Sequence, residues 1–243
     1  MQNIKDIIDW DLGYKIVNVD TKLLRKVVVS RLNQLASLDI DPDQVENYHN
    51  LASEQDNKRL FKNFHYARWV SLDDSIASGL KKVLGGLDAV IKTSGMTVRT
   101  PTEVNNGTFM LVRPKPFDSY VVKLHSDRDA IGNDLNLWIP LSGFGKDYSL
   151  PIVPGSHLID HKAKEGKRYN TLTYNEINVD RDPVRLDLAY GEALLFHSNL
   201  IHGNAVNEGN QTRLSLEVRF YLNDSDNKIA KSKDRIKEVI YVN

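Results

Sequence analysis

The 243-residue chain has no cysteine. That absence excludes a disulfide framework, a thiolate zinc site and an iron–sulfur cluster. A surplus of either charge is lacking as well, since 32 Lys and Arg residues balance 32 Asp and Glu. No net field recruits nucleic acid or an anionic membrane, and neither partner is expected. Long apolar runs are missing too. Residues 1–20 alternate charged and apolar positions without the apolar stretch of a signal peptide, and no later segment approaches a membrane span. The expected address is the cytoplasm. What is present is ordinary for a globular protein: 41% hydrophobic and 26% charged residues, in a length that suits one domain with a real core.

The first third has helical periodicity. Asp20 has the character of an N-cap, and Leu24, Val27, Val28, Arg31, Leu32 and Leu35 recur at helical spacing with an otherwise polar opposite side. Asp41-Pro42 is a second start signal, a cap followed by proline at the first helical position. Segments around Leu60–Trp69 and Ser71–Leu84 extend the helical pattern until Gly85-Gly86 stops it. From Gly95 the period becomes two. Short strands are expected at Thr97–Thr100, Thr108–Arg113, Ser119–His125, Asp134–Leu141, Leu150–Val153, Val184–Leu188, Ala193–His197, Leu200–Ala205 and Thr212–Leu222. Residues 158–182 form a polar insertion that suits a surface loop or lid, and Asp224–Val242 resumes a helical pattern. The expected architecture is α+β but mainly β: a double-stranded β-helix (a cupin-like jelly roll) with N-terminal helices packed outside. It forms a single domain, with residues 1–95 mainly helical, 96–223 the jelly-roll core and 224–243 a terminal helix.

Two stretches carry chemistry. In His125-Ser126-Asp127 the outer residues point the same way if the backbone is extended, which brings an imidazole and a carboxylate together. With one more histidine this is the ligand set of a facial triad for Fe(II). The second stretch runs from Gly191 through His202 to Ser215 and ends in a cleanly alternating strand. Arg213, Ser215, Glu217 and Arg219 fall on one face, with Leu214, Leu216, Val218 and Phe220 on the other. A row of polar groups inside a barrel is costly unless a ligand satisfies it, whereas on a solvent-facing edge strand it costs little. From the strand alone the two readings are even.

Together these residues resemble the phytanoyl-CoA dioxygenase-like branch of the Fe(II)/2-oxoglutarate-dependent oxygenases. His125 and Asp127 match the first element of that family, and Leu200-Ile201-His202-Gly203, introduced by Gly191–Phe196, matches the distal ligand segment. Arg213-Leu214-Ser215 resembles the Arg-x-Ser co-substrate motif, eleven residues beyond His202. Trp138-Ile-Pro-Leu, the Pro154-Gly155-Ser156-His157 turn and Met110-Leu-Val-Arg-Pro complete the likeness over roughly residues 107–222. The resemblance implies Fe(II) held by His125, Asp127 and His202, 2-oxoglutarate gripped by Arg213 and Ser215 beside Trp138 and Met110, and O2 as oxidant. Retention of the carboxylate at Asp127 disfavours halogenation. Leu124, Ser126 and Tyr148-Ser149 depart from residues frequent in the branch, and these changes bear on loop and substrate shape more than on iron.

His197 is the rival for the third ligand, but its spacing to Arg213 does not match the family. His49, His65, His157 and His161 are read as structural or loop positions. Arg128, Asn136, Asn204 and Arg219, with Glu217, are candidate substrate contacts. Their polarity points to a small hydrophilic substrate such as a sugar or sugar conjugate. The implied reaction is oxidation of a C–H bond, most simply hydroxylation, coupled to decarboxylation of 2-oxoglutarate. The alternatives are desaturation, epimerisation or ring closure at the same centre, and, from another class, a cupin-like binding module or metal-dependent isomerase without oxygen chemistry.

Overall fold

A computed structural model of the chain describes residues 4–56, 59, 83, 89–99, 124–126, 134–159, 182–203, 207–222 and 240–242. After a 3-10 turn at Ile4–Asp6, the chain forms strand β1 (Tyr14–Asn18) and helix α1 (Thr21–Ala36). The Asp20 side chain accepts a hydrogen bond from the Lys22 amide, so the expected N-cap is present. Asp41 likewise accepts from the Asp43 amide, but the segment it starts is a 3-10 helix (Pro42–Asn47) leading into one α-helical turn, α2 (Tyr48–Leu51). The remaining strands are β2 (Ala89–Arg99), β3 (Leu135–Ser142), β4 (Pro151–Ile152), β5 (Val184–Arg185), β6 (Glu192–His197), β7 (Arg213–Leu222) and β8 (Ile240–Val242).

The large sheet is antiparallel at every pairing, in the order β1-β6-β3-β7-β2-β8. Alternation along its strands decides what each face meets. Leu135, Leu137, Ile139 and Leu141 of β3 join Ala193 and Leu195 of β6 and the even-numbered residues of β7, Leu214 to Phe220, in one apolar layer. Leu24, Val28, Leu32 and Leu35 of α1 pack onto that layer, so the amphipathic stripe expected from the sequence is the one buried. Eight consecutive residues of β3 are buried, which requires that its other face be covered too. That second face carries Trp138, Leu194 and Phe196, which meet Leu150, Ile152, Leu188 and Leu200 from the opposite side of the molecule. Helix on sheet on sheet is thus the layering, with the jelly-roll interior between the two sheets.

Arg25 is a buried charge that the periodicity does not reveal. Its guanidinium donates to the Leu141 and Pro42 carbonyls and pairs with Glu46 at 2.6 Å, tying α1, the 3-10 helix and the end of β3 together. Three elements differ from their sequence expectations. The segment Tyr14–Asn18, unassigned on periodicity, is an edge strand of the large sheet. Strand β2 begins at Ala89 rather than near Thr97 and pairs with β7 along its length. Ile240–Val242, inside the expected terminal helix, is instead a strand paired with Ala89–Ile91. The helices expected over 60–69 and 71–84 (Val83 apart), the strand 108–113 and the body of the 158–182 insertion lie outside the described residues. No helix among the described residues is long and apolar enough to cross a membrane.

Candidate active site

The short sheet β4-β5 is extended by two further segments through isolated bridges. Ile152 pairs with His202, and His202 pairs with His125. The backbones of the two histidines exchange both hydrogen bonds, at 2.8 and 2.9 Å. Directly opposed residues of an antiparallel pair project to the same face, so the two imidazoles stand together, with ring centroids 4.7 Å apart. The face they share is the interior one, because the ring of Phe196 on β6 meets the His202 ring edge-on at 4.8 Å from across the barrel.

The orientation of His202 is set locally. Its Nδ1 lies 2.9 Å from the Leu200 carbonyl, which can only accept. In the neutral ring Nδ1 therefore carries the proton and Nε2 the lone pair, the form a divalent metal binds. The strand itself is clamped by the Pro154-Gly155-Ser156-His157 turn. Ser156 Oγ accepts from the Ile201 amide at 2.8 Å, the Val153 amide donates to Ile201, and Asn199 donates its side-chain amide to the His157 carbonyl. Ser126 turns away from the imidazoles and donates to Asn199 Oδ1 at 2.9 Å, which binds the two histidine segments to each other a second time. Two neutral imidazoles so presented suit Fe(II).

On the large sheet Arg213, Ser215, Glu217 and Arg219 of β7 face the same interior. Arg213 is completely buried, and its guanidinium donates to the Tyr148 carbonyl at 3.0 Å and lies 5.8 Å from the Trp138 ring centre. Ser215 is opposite Pro140 and buried, while Glu217 is opposite Trp138 and Arg219 opposite Asn136. A bulge between Pro140 and Ser142 frees Ser142 Oγ to donate to the Thr212 carbonyl and accept from the Leu214 amide, on either side of Arg213. From the helical side, Thr212 donates its amide to Glu46, and its hydroxyl lies 2.9 Å from His49 Nδ1. The cradle of Arg213 thus depends on three separate parts of the chain.

Histidine 197 does not share this interior. It is opposite Leu135, whose side chain belongs to the helix-facing layer, so it leaves β6 on the face opposite to Phe196. Its Nδ1 accepts from the Asn199 amide, and its ring lies tilted against that of His157 and edge-on to that of Trp10. His157 is buried in this cluster, and desolvation lowers its pKa, partly offset by a Trp10 backbone hydrogen bond and the Asp11 charge. Gly13, at φ 81°, closes the cluster. A methyl group on it would overlap the His157 ring, and that backbone conformation suits glycine.

Of the residues singled out from sequence, His125, His202, Trp138, Asn136, Arg213, Ser215 and Arg219 fall together on the interior faces. Asp127, Met110, Arg128 and Asn204 lie outside the described residues. Sequence reasoning missed Phe196, Asn199, Ser142 and the carbonyl of Tyr148. A carbonyl has no residue signature, Ser142 and Asn199 act through partners 42 to 73 positions away, and Phe196 meets the His202 ring only across the folded barrel.

The family model for phytanoyl-CoA dioxygenase matches residues 41–215, well over half of the chain. A comparison with curated proteins returns no match. Among solved structures the chain is similar to the epimerase SnoN, crystallised with Fe3+, alpha ketoglutarate and nogalamycin RO. The identity is 16%, with 87% of this chain and 79% of that one covered and a TM-score of 0.53. AviO1 from Streptomyces viridochromogenes Tue57 is similar over 91% of this chain and 96% of its own, at 14% identity and a TM-score of 0.50. At such identities these structures speak for the fold alone, and the fold they share is the one built above. With the family match and the chemistry of its two sheets, the chain belongs to the phytanoyl-CoA dioxygenase family and is an Fe(II)/2-oxoglutarate-dependent dioxygenase.

Proposed function

We propose that His125, Asp127 and His202 hold the iron, that Arg213 and Ser215 take the far carboxylate of 2-oxoglutarate, and that the enzyme hydroxylates a C–H bond of a small polar molecule, a sugar or sugar conjugate. The observation that carries this reading is the pairing of two cross-strand imidazoles with a fully buried guanidinium on the facing sheet. A buried arginine is costly unless well matched, and its planar fork fits a carboxylate bidentately. Ser215, two residues on, adds a hydroxyl donor on the same face. Iron and co-substrate, when bound, supply the oxidising power for C–H cleavage. The chain's part is positioning and exclusion of water. His202 is held in its metal-binding tautomer by Leu200, Arg213 is steadied by Tyr148 and Trp138, and Phe196, Leu194 and Ile152 keep the chamber apolar around the imidazoles.

The test is succinate formation from 2-oxoglutarate under air with Fe(II), first without substrate and then across a metabolite panel. Slow uncoupled succinate that accelerates with a hydroxylated metabolite, and disappears in Asp127→Ala, is the expected result. The product's mass separates outcomes: hydroxylation adds one oxygen, desaturation and ring closure remove two hydrogens, and epimerisation changes nothing. Absence of succinate from metal-loaded wild type would return the chain to the binding-module reading.

A further inference from the structure

Asn199 lies in the turn between β6 and the His202 segment and is buried, at 5% exposure. The turn itself is fixed. The Leu200 amide donates to the His197 carbonyl at 2.8 Å, and the Asn199 amide donates to His197 Nδ1 at 2.9 Å. Both ends of the Asn199 side chain are used as well. Nδ2 donates to the His157 carbonyl at 3.1 Å, and Oδ1 accepts from Ser126 Oγ at 2.9 Å. The orientation of the amide follows from its partners, because a carbonyl only accepts and the nitrogen must face it. Ser126 has one hydroxyl proton, and Asn199 Oδ1 is nearer to it than the Ser198 carbonyl at 3.4 Å.

What these bonds hold is informative. Ser126 is the middle residue of His125-Ser126-Asp127, so its hydroxyl anchors the segment that carries two of the three ligands proposed above. Asn199 stands three residues before His202, the third. Among the described residues, the two segments pair through their backbones at His125 and His202 alone. A single bridge sets how far apart two strands lie but constrains their crossing angle weakly. A facial arrangement of ligands is sensitive to that angle. The tie at Ser126 lies off the bridge and removes this freedom. At its other end the same amide is held by the turn that clamps Ile201, so three segments meet at one side chain.

We propose that Asn199 is a positioning residue for the metal centre: through Ser126 it fixes the angle at which the His125–Asp127 segment meets His202. This rests on the iron ligands proposed above and adds the group that presents them together. An amide suits the role because the link joins an acceptor on one side to a donor on the other. Groups that orient metal ligands in this way govern metal affinity without touching the ion.

The experiment is a metal titration of the full chain, stripped with a chelator and reloaded anaerobically with Fe(II) or with Co(II). The visible absorption of bound Co(II) reports the coordination geometry. Ser126→Ala and Asn199→Ala should each weaken binding of both metals about tenfold and change the Co(II) absorption. The double variant should be no weaker than Asn199→Ala, since both changes remove the same bond. Val28→Ala, a cavity in the helix-facing core, should lower the unfolding temperature and leave metal binding as it is. Wild-type affinity and absorption in both single variants, additive losses in the double, or an equal loss in Val28→Ala would overturn the proposal. Ser126→Ala decides the matter if Asn199→Ala fails to fold. His202→Ala separates the two readings. Metal retained in His202→Ala, or a wild type that binds neither metal, counts against the ligand assignment and takes the role of Asn199 with it. Metal lost in His202→Ala but bound as in wild type by both tie variants counts against Asn199 only.

Discussion

At the scale of single residues, the guanidinium of Arg213 and the tautomer of His202 carry most of the argument. Arg213→Lys keeps the charge but loses the fork. Binding of 2-oxoglutarate should weaken by about 1–3 kcal/mol, and by more in Arg213→Ala, with iron binding retained in both. The check is the 2-oxoglutarate dependence of succinate formation beside a metal titration of each variant; an unchanged dependence in both would exclude Arg213 as the carboxylate clamp. The histidines make a sharper contrast. His202→Ala should lose metal and activity together. His197→Ala should keep both at some loss of stability, because His197 faces the Trp10–His157 cluster and caps Asn199. Metal lost in His197→Ala and kept in His202→Ala would reverse the assignment.

At the scale of elements, the β3 bulge connects fold to function. Ser142 bridges the two peptide groups that flank Arg213, so Ser142→Ala leaves a buried amide and carbonyl each short of a partner. The expected cost is about 1–3 kcal/mol of stability for groups so exposed to desolvation. A rise in the 2-oxoglutarate concentration needed for half-maximal rate should accompany it, with the maximal rate less affected. Thermal unfolding and initial-rate kinetics on one preparation would show whether the two effects travel together. A stability loss with unchanged co-substrate dependence would make the bulge purely structural.

At the scale of the whole molecule, two buried or half-buried histidines link folding to acidity. Desolvation lowers the pKa of His157, and it lowers that of His49, where a Glu46 backbone hydrogen bond opposes it. A histidine whose folded pKa lies below its unfolded value near 6.5 binds more protons when unfolded. Stability then rises with pH across the interval between the two values and is lost on acidification through it. Midpoints of urea unfolding should accordingly fall from pH 7.5 toward about pH 5. His157→Gln should flatten that slope. A slope unaffected by this substitution would place the acid sensitivity elsewhere.

Sequence alone was sufficient where information is local or periodic. The cap at Asp20 and the stripe through Leu24, Val28 and Leu32 depend on residues within a few positions, and the structure bears them out. The alternation that separates Arg213, Ser215, Glu217 and Arg219 from Leu214 to Phe220 is equally local, since a strand's period needs no partner to be read. Only the tertiary structure decided that the polar face is enclosed as well: sequence left it equally suited to solvent or to a barrel interior, and the layer of Leu150, Ile152, Leu188 and Leu200 covers that side of the large sheet. The same holds for Tyr14–Asn18 and Ile240–Val242, short segments whose strand conformation comes from pairing with β6 and β2 rather than from their own pattern. It holds as well for His125 and His202, seventy-seven positions apart, whose shared face follows from a single backbone bridge. Periodicity reports what a segment can bury. What it is buried against is set by hydrogen bonds and contacts between distant segments, which no local pattern encodes.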